Sequence, residues 1–153
     1  MKFLLGALGL VIVGVGILSV LHFFNPEYQA EKEAKRIAEE IKQQYLNDTY
    51  GGDTPEETLQ LFIDALKAGD MDLAARYFVL DKQDEQKKYL AQIKNRGLLD
   101  LMIKDVKKLG NRYTIRLGDT NEFIFETYNE KKELVMQADL IKGPSGKWKI
   151  QDL

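Results

Sequence analysis

No charged side chain occurs between Phe3 and Phe24 (FLLGALGLVIVGVGILSVLHFF), and such a stretch leaves a chain few choices. As a helix rising ~1.5 Å per residue it spans about 33 Å, enough to cross the hydrocarbon core of a bilayer. It is apolar on every side, whereas a helix on a water-facing core is apolar on one. The rival reading is a cleaved signal peptide, whose apolar region runs about 7–15 residues and closes on a small-x-small site. This run closes on Leu21-His22-Phe23-Phe24, which is bulky. Residues 1–24 are therefore expected to form a retained, single-pass signal-anchor helix. Gly6, Gly9, Gly14 and Gly16 lie within it, none four residues from another, so the GxxxG pairing signature is absent.

Orientation rests on opposed signals. Lys2 and the amino terminus favour a cytoplasmic N-terminus, while Lys32, Lys35 and Arg36 beyond the span oppose it. The short N-terminal tail tips the balance toward an extracytoplasmic C-terminal part.

Residues 25–53 read as a spacer. Asn25 can cap a helix with Pro26 at its first position. Glu27–Leu46 is rich in the helix formers Ala, Glu, Lys and Gln. Ala34, Ile37, Ala38, Ile41 and Tyr45 make a narrow apolar stripe, either a packing face or a short coiled-coil seam. Asn47–Asp53 (NDTYGGD), with its Gly-Gly pair, is expected to be a flexible joint. The domain boundary is set there, so a chain starting at Thr54 is expected to fold by itself.

Thr54–Phe78 is the best-punctuated stretch. Thr54 and Glu57 have capping-box spacing, and Pro55 fits the first helical position. Leu59, Phe62, Ile63 and Leu66 recur at helical spacing as one buried stripe. Gly69 is placed to end the helix in the left-handed conformation, and Asp70 to cap the next, which buries Leu73, Ala74, Tyr77 and Phe78. A third helix is expected over Asp81–Asn95, with Tyr89, Leu90 and Ile93 inward and a stop at Asn95-Arg96-Gly97. Leu98–Leu109 reads as a helical turn leading into a strand.

From Gly110 the period falls to two. Tyr113, Ile115 and Leu117 alternate with polar neighbours, Glu122–Tyr128 is strand-like, and Leu134, Met136, Ala138 and Leu140 are expected to face the core. Gly143-Pro144-Ser145-Gly146 is a turn, and Lys147–Leu153 closes the sheet with Trp148 and Ile150 inward. Helices followed by consecutive strands imply an α+β domain over residues 54–153, its helices packed on a curved, mostly antiparallel sheet.

Pro55-Glu56-Glu57-Thr58, Phe62, Lys67-Ala68-Gly69-Asp70, Ala74 and Phe78 together resemble the opening helices of nuclear-transport-factor-2-like domains, closest to small bacterial cell-envelope versions. Gly146-Lys147-Trp148-Lys149-Ile150 resembles their last strand. The resemblance covers Thr54–Leu153. It implies a cystatin-like cone, with the sheet curled around the first helix and a pocket at its open end, and it adds weight to an envelope location. The superfamily holds isomerases, dehydratases, hydrolases and non-catalytic binding modules, so it implies no single activity.

Residue inventory narrows the chemistry. The 153-residue chain has net charge −2, no cysteine and one histidine, His22, at the end of the apolar run. Near-neutral charge does not point to nucleic acid. The missing cysteines exclude disulfides, thiolate metal sites, thiol nucleophiles and a lipobox cysteine. Without histidine beyond residue 22, a histidine-activated nucleophile is excluded there. No phosphate loop or EF-hand pattern occurs, and carboxylates alone suit zinc poorly. No catalytic, cofactor-binding or metal-ligating residue is therefore assigned.

Two functions stay open. The leading one is a membrane-tethered, non-catalytic binding or accessory module for a small apolar ligand or an envelope protein. The alternative is a pocket enzyme of isomerase, dehydratase or hydrolase type using Asp or Glu with Tyr, for which Asp139, Glu126, Tyr113 and Tyr128 are the nearest candidates. Asp139 is expected on the sheet face opposite the core. Arg112, Arg116, Lys147 and Lys149 form either an ordinary charged face or a surface for an acidic partner.

Overall fold

The structure is a computed structural model that describes residues 26–109, 113–114 and 121–153. The expected anchor over residues 1–24, the Asn25 cap, Arg112, Ile115, Arg116 and Leu117 lie outside the described residues. Among those described, no helix is long and apolar enough to cross a membrane. The chain divides into two compact units, Met1–Gln44 and Tyr45–Leu153.

Helix α1 runs from Pro26 to Asn47 and buries no residue. Its surface is laced by pairs one turn apart: Lys35 with Glu31, Arg36 with Glu33 and Glu40, and Lys42 with Glu39. On the apolar stripe Ile37 and Ile41 are exposed.

The second unit is α+β. Helix α2 (Pro55–Ala68) starts as its residues dictate: Glu57 N–H donates to Thr54 Oγ1 at 3.1 Å, and Glu57 Oε2 accepts from Asp53 N–H at 2.6 Å. It ends at Gly69, φ 71°, whose N–H donates to Leu66 O while Asp70 N–H donates to Ala65 O. Asp70 then caps α3 (Met71–Arg76) by accepting from Leu73 N–H at 2.9 Å. A 3₁₀ turn (Leu80–Lys82) leads into α4 (Gln83–Asn95), and α5 covers Leu99–Leu109.

Four strands follow, β1 (Tyr113–Thr114), β2 (Glu122–Tyr128), β3 (Leu134–Lys142) and β4 (Trp148–Asp152). They pair antiparallel in sequence order, and since β1 is so short, β2–β4 carry the sheet. The free side of β4 is covered: Val79 N–H donates to Ile150 O at 3.0 Å, Ile150 N–H to Tyr77 O at 2.9 Å, and Trp148 N–H to Gly52 O at 3.0 Å.

The core lies between α2 and the sheet. Leu59, Phe62, Ile63 and Leu66 are all buried, as their spacing requires. Phe62 meets Phe78 edge-on at 5.5 Å, and Phe123 meets Phe125 and Trp148 the same way. Phe125, Ala138, Leu140 and Ile150 close the sheet side.

Three sequence expectations are corrected. Leu98–Leu109 does not turn into a strand: Leu99, Ile103, Val106 and Leu109 recur at helical spacing, all four pack into the core, and the helix holds to Leu109. Tyr89 points outward, 49% exposed, because Leu90 takes the core position beside it. Leu134 is also exposed. A bulge between Thr127 and Tyr128 pairs Thr127 with Met136 but Tyr128 with Leu134, so Val135 is the extra residue and Leu134 moves to the outer face.

The compact unit also begins at Tyr45, ahead of Thr54. Residues 48–53 are pinned to the domain rather than forming a free joint. Gly52 N–H donates to Thr58 Oγ1 at 2.9 Å, and the Thr58 hydroxyl donates to Trp148 O at 3.1 Å. Gly51 sits at φ +119°, where a Cβ would lie 2.2 Å from Trp148 O, so only glycine fits there.

Candidate functional site

Helices α4 and α5 and strands β2 and β3 enclose a groove of about 270 Å³. One wall comes from the end of α4. Arg96 closes that helix, Gly97 at φ 72° follows, Gly97 N–H donates to Lys94 O and Leu98 N–H donates to Ile93 O. This is a Schellman ending, which brings the residue after the glycine back against the last turn. Ile93 and Leu98 are that pair, and both line the groove. Tyr89 extends the wall by one turn.

Helix α5 serves two faces. Its core stripe is Leu99, Ile103, Val106 and Leu109, while Leu101, Met102, Asp105 and Lys108 line the groove. Leu101 is 56% exposed and Val135, on the opposite wall, 61%. With Tyr89 and Leu98 they make the water-facing apolar lining of the groove. The bulge that turns Leu134 outward leaves Val135 in the groove beside Met136.

Among the described residues, the polar side chains lining the groove are Asp105, Lys108 and Thr127. Asp105 and Lys108 pair at 2.6 Å, each more than two-fifths exposed. Thr127 lines the groove, and its Oγ1 is shut off from water with no hydrogen-bond partner. Leaving a buried hydroxyl unpaired costs about 1–3 kcal/mol.

The acid–base candidates gather elsewhere. Ala138 and Leu140 face the core, so Asp139 projects from the other face, where Gln137 Nε2 donates to its Oδ1 at 2.7 Å. Glu126 alternates with buried Phe125 and lies on that same outer face, accepting from the Tyr128 hydroxyl at 2.9 Å. Glu126, Tyr128 and Asp139 thus share a face, and it is not the groove. Tyr113 sits in β1 opposite Phe125. Among the described residues, no three His, Cys, Asp or Glu side chains stand close enough to hold a metal ion.

Of the basic candidates, Lys147 and Lys149 lie among the described residues, and their settings differ. Lys147 pairs with Asp53 at 2.7 Å, which raises its pKa above the ordinary lysine value. Lys149 is buried, so it is no part of an exposed acidic-partner face. Its Nζ donates to Asp48 Oδ1 at 2.6 Å and to Arg76 O at 2.9 Å. Gln83 Nε2 donates to Asp48 Oδ2 at 3.0 Å and to Phe78 O at 3.1 Å, and Tyr50 N–H reaches Asp48 Oδ1 at 3.3 Å. Burial lowers the Lys149 pKa, and the hydrogen bond and charge of Asp48 pull it part of the way back.

Among the described residues, the carboxylate that lines the groove is that of Asp105, which is partly exposed and paired with Lys108. Sequence reasoning missed the groove because its reading of α5 was wrong. The signal was present in the spacing of Leu98, Leu101, Met102 and Asp105, which marks a second helical face. Comparison with known proteins gives no matching family, no matching curated protein and no matching solved structure.

Proposed function

We propose that this chain is a membrane-tethered, non-catalytic binding module whose groove between α4, α5 and the β2–β3 pair takes a small apolar molecule at the cell envelope. The observation that carries the reading is the groove itself. It sets Leu101 and Val135 in water at 56% and 61% exposure, a placement that occupancy by an apolar body would repay. A volume of about 270 Å³ lies near the lower end of the range of about 300–1,000 Å³ usual for small-molecule sites.

Tethering rests on the uncharged run Phe3–Phe24, and the extracytoplasmic location on Lys2 ahead of that run and on the resemblance to envelope domains of the nuclear-transport-factor-2-like kind. The polar outer placement of Glu126, Tyr128 and Asp139 favours binding over the pocket-enzyme alternative.

Two measurements test this. In right-side-out vesicles, external protease should digest residues 54–153; protection until the membrane is broken would place the domain in the cytoplasm. With the full chain in lipid nanodiscs, 1-methylnaphthalene should bind saturably above an empty-nanodisc blank, and Leu101→Asp should weaken it at least about tenfold. Equal binding by that variant would remove the groove as the site.

A further inference from the structure

We infer that the groove's ligand carries a hydrogen-bonding group, a hydroxyl or carbonyl on a compact apolar ring, and that Thr127 receives it. The inference rests on the groove being the ligand site and goes on to name the chemistry of what fills it.

Two observations meet at Thr127. Its hydroxyl oxygen is buried without a partner, while the residue lines the groove. It also sits at the bulge, in register with Met136 just before the pairing slips at Tyr128. Bulges re-aim side chains, and here the slip leaves Thr127, Val135 and Met136 together on the groove. A buried hydroxyl with nothing to bond to calls for an explanation, because valine would fill the same space without the penalty. Where it stands, Thr127 Oγ1 has no protein partner among the described residues. A turn of about 120° about χ1 exchanges methyl for hydroxyl and brings Oγ1 onto the groove. A ligand oxygen arriving there accepts from the hydroxyl, or donates to it, and the rest of the ligand covers Leu101, Met102 and Val135. The polar group does not need a charge, since Lys108 is already occupied by Asp105.

The test compares 1-naphthol with 1-methylnaphthalene, nearly the same shape with and without a hydroxyl. Each is titrated into the full chain in lipid nanodiscs, as wild type, Thr127→Val and Thr127→Ser. The readout is the ratio of the two Kd values within each variant, which cancels the difference in their intrinsic hydrophobicity. We expect the ratio to shift against 1-naphthol by about 3–10-fold in Thr127→Val and to stay at the wild-type value in Thr127→Ser. Thr127→Val should also melt no lower than wild type. An unchanged ratio in Thr127→Val overturns the inference and leaves the groove standing as an apolar site. A Thr127→Val variant that melts lower would mean the hydroxyl is already satisfied, and overturns it too. Failure of both probes to bind wild type overturns the groove reading itself.

Discussion

The ammonium of Lys149 lies 2.6 Å from the carboxylate of Asp48, and their side chains are only 5% and 8% exposed. The pair joins the last strand to the segment that follows α1; Gln83 and the Tyr50 amide also donate to Asp48, and the Arg76 carbonyl also accepts from Lys149. Removing one partner therefore strands the other. Asp48→Ala should destabilise the chain by about 3–5 kcal/mol, while Asp48→Leu combined with Lys149→Met should recover most of that loss. Urea unfolding of the three proteins measures it. A double variant as unstable as Asp48→Ala would mean the cost came from lost packing, not from an unpaired charge.

The same pair fixes where the domain starts. A chain beginning at Thr54 lacks both Asp48 and the Gly52 carbonyl that receives Trp148 N–H. It should melt more than about 10 °C below a chain beginning at Tyr45, if it folds cooperatively at all. Equal melting temperatures by differential scanning calorimetry would show that residues 45–53 are dispensable.

Lys149 also gives stability an unusual pH slope. Its folded pKa is below the ordinary 10.5, so between the two values the unfolded chain binds more protons. Stability from this group therefore rises as pH climbs toward 10.5. Lys147, two residues away, has the opposite sign: Asp53 raises its pKa, and its contribution is present below 10.5 and lost as pH rises through the folded value. Urea midpoints from about pH 8 to about pH 11 should show an upward component in wild type that disappears in the Asp48→Leu, Lys149→Met protein. The same slope in both would assign the effect to another group.

What was legible in the sequence was local. Thr54, Pro55, Gly69 and Asp70 act on neighbours within a turn, and Leu59, Phe62, Ile63 and Leu66 lie on one stripe, so the helical pair could be read from order alone. Leu98–Leu109 was harder because its apolar residues serve two faces, and Leu98, Leu99, Leu101 and Met102 in a run hide the period. Leu134 was assigned inward by strict alternation, which one bulged residue, Val135, reverses for everything before it. Lys149 looked like any strand lysine. Its partner is on the far side of the sequence, and nothing near either residue announces the other. The groove inherits the first two difficulties, since α5 and the bulge must be placed before it exists.

The most direct test of the groove is methyl NMR of the full chain in lipid nanodiscs, titrated with 1-methylnaphthalene. The expected result is saturable shifts at the methyls of Ile93, Leu98, Leu101, Met102, Thr127 and Val135, with Leu59, Ile63 and Ile150 in the core unmoved. Shifts confined to other residues, or none above the empty-nanodisc blank, would contradict a binding module built around this groove.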